Sequence, residues 1–89
     1  MPASILIADD DLSIREALER SLRFEGFLVS SVENGVLAIS EIEHRIPDIL
    51  ILDINMPEMN GIEVTRYLRS IEVEIPICIL SARDEVTDR

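Results

Sequence analysis

The 89-residue sequence contains no lysine and no tryptophan, and its aromatic side chains are limited to two Phe and one Tyr. All eight basic residues are arginines, and they face eighteen acidic residues, so the net charge is −10. This balance argues against nucleic-acid binding by this segment, because phosphate contacts require clustered cations. A metal cation or a basic protein partner suits the charge better.

Cysteine is also scarce, and Cys78 alone cannot form an internal disulfide, which favours a reduced, cytosolic protein. The N-terminal apolar stretch is short and lacks a preceding basic region, so we expect no signal peptide. No apolar run approaches the length of a membrane span. Apolar residues make up 47% of the chain, mostly Ile, Leu and Val, which favours an aliphatic core over disorder. We therefore expect a soluble, cytoplasmic protein without membrane contact.

Short apolar runs alternate with amphipathic stretches along the whole chain. The predicted strands are Ser4–Ala8, Phe27–Val32, Ile49–Leu52 and Ile75–Leu80. The first predicted helix runs from Ser13 to a stop at Gly26, and the second covers Val36–Arg45 after a turn at Asn34-Gly35. The third begins at Asn60-Gly61, and a fourth starts within Asp84–Arg89. Strict alternation of this kind implies a parallel sheet covered by helices on both faces, with right-handed crossovers.

Two of the helices have identifiable core faces. In the first helix, Ser13 is a plausible N-cap with Glu16 at capping-box spacing. Its predicted core face is Ile14, Ala17, Leu18, Ser21 and Leu22, and its polar face includes Arg15, Glu16, Glu19, Arg20 and Arg23. The predicted core face of the third helix is Val64, Tyr67, Leu68 and Ile71.

Acidic residues follow two of the predicted strands. Asp9 and Asp10 come after the first strand, and Asp53 comes after the third. If these strands are neighbours at a switch point, the three carboxylates converge at the carboxyl edge of the sheet. Such an oxygen-only site selects Mg²⁺ or Mn²⁺, and a carboxylate can itself take a phosphoryl group. The structural alternative is that these acids cap helices or solvate loops, a role that suits Asp11 well.

The segments Ile5–Asp11, Pro47–Val64 and Ile75–Arg83 resemble the receiver domain of two-component response regulators, and most of all the OmpR/PhoB-like class of transcriptional regulators. The resemblance implies a three-layer, flavodoxin-like, doubly wound fold with strand order 2-1-3-4-5. Complete receivers continue through a fifth strand and a fifth helix. We therefore interpret residues 1–89 as one receiver domain that is incomplete at its C-terminal end.

The resemblance also implies roles for individual residues. Asp53 matches the aspartate phosphorylated by a histidine kinase. Asp9, Asp10 and the backbone carbonyl of Asn55 match the groups that hold the metal with it, and Ser81 matches the switch hydroxyl. Three further residues match those that shape the site: Ala82, Pro57 and Gly61. A DNA-binding output is implied only through a domain that is absent from this sequence.

In complete receivers a lysine after the fifth strand contacts the phosphoryl group, and an aromatic residue in that strand takes part in the switch. This sequence has no lysine, and one fixed charge in a preorganised site is commonly worth about 2.7–4 kcal/mol. We therefore expect the chain to bind Mg²⁺ but to accept phosphate slowly or to fail to transmit the signal. Ending the sheet after four strands exposes an aliphatic edge, which favours a swapped or edge-paired dimer.

Two other functions remain open at this point. A haloacid-dehalogenase-like phosphatase carries a second Asp two residues after its nucleophile, and that position here is Asn55, which argues against an enzyme. A structural or dimerisation fragment without phosphorylation is the other alternative. We expect ordinary packing for Met56, Met59 and Cys78, with Cys78 a small core residue, and we expect His44 to lie on a solvated face.

Overall fold

The computed structural model describes residues 2–80. Its elements in chain order are β1 (Ser4–Ala8), α1 (Leu12–Phe24), β2 (Leu28–Val32), α2 (Gly35–His44), β3 (Ile49–Asp53), α3 (Gly61–Ser70) and β4 (Ile77–Leu80). This is the predicted alternation of strands and helices. Ser81, Ala82 and the predicted start of a fourth helix at residues 84–89 lie outside the described residues.

The four strands form one parallel sheet in the order β2-β1-β3-β4. This confirms the predicted doubly wound arrangement. The chain first moves outward from β1 to β2 and then crosses back over β1 to β3. With right-handed crossovers these two connections lie on opposite faces of the sheet, so a switch point lies between β1 and β3.

The core lies mainly between the sheet and the pair α2 and α3. Alternate strand residues point into it, and the buried members of this cluster include Leu6, Ala8, Leu50, Leu52, Ala38, Ile42, Val64 and Leu68. Fully burying each large aliphatic side chain contributes about 1.5–3 kcal/mol. Ile5 and Ile7 are also buried, and their alternation with Leu6 directs them to the opposite face, which α1 covers. The carboxyl end of β1 is therefore packed on both faces, whereas β3 is fully buried only on the face towards α2 and α3.

Helix α1 begins earlier than the sequence predicts. Its N-cap is Asp11, whose Oδ1 accepts the backbone N–H groups of Ser13 at 2.8 Å and Ile14 at 3.3 Å. The prediction of Ser13 as the cap was wrong, because an aspartate two residues upstream already satisfies these free N–H groups. The third residue of the acidic run therefore has a structural role at the start of α1.

Polar side chains tie α1 to β2. Arg23 Nη2 donates to the Val29 carbonyl at 2.9 Å, and the Ser31 hydroxyl donates to the Glu19 carboxylate. The apolar face is narrower than predicted: Ile14, Leu18 and Leu22 are half-buried, whereas Ala17 and Ser21 are exposed. The α1 layer thus depends on polar links as well as on apolar packing.

Asparagine residues begin the other two helices. Asn34 accepts the Leu37 N–H at 2.8 Å, so it caps α2 and Gly35 is already helical, where the sequence predicted a separate turn. Asn60 and Glu63 form a capping box at the start of α3. Ile71, predicted on the core face of α3, is instead the exposed C-cap, because the helix ends at Ser70.

Strand β4 is shorter than predicted and lies at one edge of the sheet. It starts after Pro76, which lacks the N–H needed for strand pairing, although the Pro76 carbonyl still accepts from Leu50 at 3.0 Å. The prediction of Cys78 as a core residue was wrong. Cys78 pairs in register with Ile51 but is exposed, because an edge strand receives less cover than the central ones.

The C-terminal ends of α1 and α3 have the same Schellman hydrogen bonds but different residues at the left-handed position. At α1 this position is Gly26, with φ of 102°, and at α3 it is Glu72, with φ of 61°. A residue with a side chain in this left-handed conformation destabilises the fold by about 1–2 kcal/mol relative to glycine. Replacement with glycine recovers only part of this free energy, because glycine also raises the conformational entropy of the unfolded chain. The Glu72 position is therefore strained and the Gly26 position is not.

We expect Glu72→Gly to raise the free energy of unfolding by about 0.5–1 kcal/mol, and Gly26→Ala to lower it by about 1 kcal/mol. Urea unfolding followed by circular dichroism measures both. Glu72→Ala is the control, since it removes the charge and keeps the Cβ. An equal gain in the alanine and glycine variants would show that charge, rather than backbone strain, limits stability at Glu72.

Candidate functional site

Three carboxylates meet at the carboxyl edge of the sheet. Asp9 follows β1 directly, Asp10 is next to it, and Asp53 is the last residue of β3. One carboxylate oxygen from each residue lies within 4.8 Å of the others. Asp9 is buried, Asp53 is half-buried and Asp10 is exposed. The cluster therefore runs from the sheet interior to solvent at the switch point between β1 and β3.

Asp9 is the one buried charged residue among residues 2–80, with 2% of its surface exposed. Its Oδ1 accepts the Asp11 N–H at 2.8 Å. Burial raises the pKa of the Asp9 carboxyl, and the charges of Asp10 and Asp11 raise it further, while the Asp11 N–H and the Arg15 charge oppose this. Burial and the neighbouring acids thus both act against ionisation of Asp9.

Asp53 has a similar environment. Its Oδ1 accepts the Asn55 N–H at 3.3 Å. Burial raises the pKa of Asp53, the negative charges of Asp9 and Asp10 raise it further, and the N–H groups of Asn55 and Ile54 lower it. The charges of Asp9 and Asp10 thus disfavour ionisation of Asp53, and a cation bound among the three acids would offset that repulsion.

The loop after Asp53 is packed closely against it. A Cβ built on Gly61 lies 2.6 Å from the Asp53 carbonyl oxygen, closer than real Cβ atoms approach. Gly61 has no positive φ, so it is required here by close approach rather than by backbone conformation. Pro57 accepts the Met59 N–H at 2.7 Å around Glu58, whose φ of 70° marks a γ-turn. The loop therefore fixes the backbone of Asp53.

The donor set fits a hard divalent cation. All three side chains offer oxygen, and their separations allow a shared ion. A cavity of about 640 Å³ lies at the other end of the strands beside Ser4 and Leu28, and none of these acids lines it.

The other residues considered from the sequence are not part of the three-carboxylate cluster. Asn55 is exposed next to Asp53, and Met56 is buried in the core. His44 is exposed at the end of α2, with Nδ1 3.1 Å from the Ser40 carbonyl. Sequence reasoning missed Arg15, which it placed on the polar face of α1. Its Nη1 donates to the Asp9 carbonyl at 2.7 Å. Its position in the first turn after the acidic run was the available signal.

A family model described as "Response regulator receiver domain" matches residues 5–89. The chain belongs to this family. Response regulator MprA of Mycobacterium sp. (strain KMS) is 46% identical over 89 residues, which is the whole of this chain and 39% of that protein.

Solved receiver structures share the fold. The Francisella response regulator 1452 receiver domain superposes with a TM-score of 0.89 at 28% identity, over 94% of this chain and 69% of that one. A DNA-binding response regulator of the LuxR family from Staphylococcus aureus gives a TM-score of 0.83 at 33% identity, over 89% of this chain and 68% of that one. The matched structures therefore include one receiver that belongs to a DNA-binding regulator.

The chain spans about two fifths of the length of the curated relatives that it matches. Within the described residues, none of the three helices has the length and apolar character needed to cross a membrane. As a receiver domain of two-component signalling, the chain belongs to a family of phosphoacceptors rather than typical enzymes.

Proposed function

We propose that Asp53 accepts a phosphoryl group from a histidine kinase. The observation that carries this proposal is the meeting of Asp9, Asp10 and Asp53 within 4.8 Å at the sheet edge of a receiver-family chain. The three carboxylates, together with the backbone carbonyl of Asn55, would hold Mg²⁺ or Mn²⁺. The bound cation would neutralise the charge on the acids and on the phosphoryl oxygens.

The transfer itself needs little from the protein beyond position and charge. An Asp53 carboxylate oxygen attacks phosphorus, a P–O bond forms, and the P–N bond to the kinase histidine breaks. The electron pair of that bond leaves with the imidazole, which then takes up a proton. The Asn55 N–H orients the attacking carboxylate, and the close packing of Gly61 against Asp53 holds the end of the β3 backbone in place.

We further propose that residues 1–89 act as the receiver part of a longer cytoplasmic regulator, with Ser81 as its switch hydroxyl. The regulator relatives are longer than this chain, and the Staphylococcus aureus neighbour is a DNA-binding protein. A DNA-binding output elsewhere in the protein is consistent with the charge of −10 here, which is unsuited to contacting DNA directly. Detecting Asp53-dependent changes in DNA affinity of the longer protein would test this link.

A covalent phosphatase is less well supported. Haloacid-dehalogenase-like phosphatases pair the nucleophile with an Asp two residues later, and Asn55 occupies that position. The side-chain amide of Asn55 is too weak an acid and too weak a base to transfer a proton at neutral pH. A purely structural fragment would not account for three carboxylates held within 4.8 Å of one another at one end of the sheet, since such groups repel one another.

The direct test is incubation of the chain with acetyl phosphate and Mg²⁺, followed by intact-mass measurement. We expect a slow gain of one phosphoryl group, because the chain has no lysine to assist it. Chelation of the metal with EDTA is expected to prevent the gain. Uptake at the same rate with EDTA would rule out the proposed metal-assisted site.

We also propose that two copies associate through β4. Among residues 2–80 the outer side of this strand pairs with no other strand, and Ile79 is 43% exposed. We expect light scattering coupled to size exclusion to show a dimer at micromolar concentration. The variant Ile79→Lys should be monomeric, since an edge lysine blocks strand pairing. A monomer for the unsubstituted chain would refute this arrangement.

A further inference from the structure

Hydrogen bonds hold Asp9 from three directions. Its N–H donates to the Val32 carbonyl at the end of β2 at 3.1 Å, and its Oδ1 accepts the Asp11 N–H at 2.8 Å. Its carbonyl oxygen accepts from Arg15 Nη1 at 2.7 Å. Among these partners Arg15 is the one side chain, so it is the contact that a substitution can remove without changing the backbone.

Arg15 closes the turn between β1 and α1. Its backbone N–H donates to the Asp11 carbonyl at 3.0 Å as part of the first turn of α1, while its guanidinium reaches back to Asp9. The half-buried side chain also lines a groove beside Val32. A charge-assisted hydrogen bond of this length is short and directional. The placement of Asp9 relative to α1 therefore depends on a side chain of α1.

We propose that Arg15 is a positioning residue for the divalent cation, which it serves by fixing the backbone of Asp9 in the shape that the carboxylate cluster requires. This inference rests on the proposed function, since it assumes that the cluster binds a cation. Outer contacts of this kind commonly set metal affinity by orienting the groups that bind the ion. Arg15 itself donates to a main-chain oxygen and does not coordinate the ion.

The charge of Arg15 and its hydrogen bond to Asp9 predict opposite effects of an Arg15 substitution on metal affinity. Its positive charge opposes a nearby cation, so removing the charge alone should tighten metal binding. Removing the hydrogen bond should loosen the turn and weaken metal binding. The guanidinium donates directly to the Asp9 carbonyl at 2.7 Å, so we expect the loss of this contact to outweigh the loss of the charge. The sign of the change in metal affinity decides between the two.

The chain contains a matched control on the same helix. Arg23 also donates from its guanidinium to a backbone carbonyl of the neighbouring segment, that of Val29, at 2.9 Å. Its substitution removes the same charge and the same kind of link between α1 and the sheet. Val29 lies near the start of β2, whereas the acids lie beyond the opposite end of the sheet. Arg23→Ala thus reproduces the loss of a positive charge and of a link between α1 and the sheet, without removing a contact to Asp9.

The experiment titrates Mn²⁺ into the folded chain and follows the free ion by electron paramagnetic resonance, with Mg²⁺ as competitor. We expect Arg15→Ala to weaken binding by about 10- to 100-fold, and Arg23→Ala to leave it within about twofold of the parent. Circular dichroism checks folding. If Arg15→Ala does not fold, Arg15→Gln is measured instead, since glutamine favours helix and is too short to reach Asp9.

Each result has a definite meaning. Failure of the parent chain to bind Mn²⁺ or Mg²⁺ would remove the proposed cation site and this inference with it. Parent binding with unchanged or tighter affinity in the Arg15 variant would overturn the positioning role while leaving the site intact. An equal loss in Arg23→Ala would also overturn it, because the effect would then reflect only the docking of α1.

Discussion

Asp53→Asn is expected to abolish phosphoryl uptake from acetyl phosphate and, at the same time, to stabilise the metal-free chain. Uptake is lost because the amide is not a nucleophile towards phosphorus and cannot form the acyl phosphate. Stability is expected to rise by about 0.5–2 kcal/mol at neutral pH, the common range for stabilising substitutions. A charge that neighbouring acids and burial both disfavour has then been removed.

The pH dependence of this gain has a definite sign. Since the pKa of folded Asp53 is raised above its ordinary value of 3.8, ionised Asp53 destabilises the fold above that raised pKa. The penalty fades as pH falls through it and is absent below the unfolded value. The stability difference between Asp53→Asn and the parent should therefore shrink as pH is lowered from 7 towards 4. A stability difference that does not change with pH would show that the gain does not come from the loss of the Asp53 charge.

Magnesium provides a second readout for the same variant. A ligand that binds the folded state stabilises it according to its concentration relative to Kd. Mg²⁺ should therefore raise the midpoint of urea unfolding for the parent and have a much smaller effect on Asp53→Asn. Asp11→Asn is the matched control: it removes a charge from the same loop, and asparagine caps a helix as well as aspartate. It should keep both phosphoryl uptake and the response to Mg²⁺.

Gly61→Ala is expected to impair the site without altering any of its acids. The added Cβ would lie 2.6 Å from the Asp53 carbonyl oxygen and 3.2 Å from the Ile54 Cα, and both are backbone atoms. Overpacking of this kind costs about 1–3 kcal/mol, which exceeds the gain of up to about 1 kcal/mol from replacing glycine in a helix. The Asp53 backbone must then shift.

The expected consequence is a loss of phosphoryl uptake on the order of 100-fold, since misplacement of a reacting group by about 1 Å has that effect. Uptake is measured by intact mass, and stability by urea unfolding. Ile62→Ala is the neighbouring control, because Ile62 is 51% exposed on α3. A Gly61→Ala chain with parental uptake would show that the packing of the loop does not hold Asp53 in place.

The alternation of apolar runs with amphipathic stretches was sufficient to predict the order of the elements and a parallel sheet. The order of the strands was implied by the family resemblance, and with that order the acids at two strand ends fall at one edge. The predictions that were wrong concern features that depend on tertiary contacts. Ser13 and Asp11 are both good caps, and only the backbone shows that Asp11 is used. Cys78 and Ile71 lie in apolar patterns but are exposed where the sheet and a helix end.

Arg15 shows a second limit of sequence reasoning. Its spacing places it on the polar face of α1, and periodicity cannot distinguish a solvated arginine from one that turns back to a main-chain carbonyl. Gly61 is the opposite case: its importance was inferred from the resemblance, and the structure supplies the reason, which is close approach to Asp53. Glu58 and Glu72 at positive φ have no signal in the sequence at all.

The most direct test of the central claim is to locate the phosphoryl group. The chain is incubated at length with acetyl phosphate and Mg²⁺, the acyl phosphate is reduced with borohydride, and the peptides are mapped by tandem mass spectrometry. We predict modification at Asp53, with Asp9, Asp10 and Asp11 unmodified. Modification at another residue, or none after prolonged incubation with Mg²⁺ bound, would contradict it.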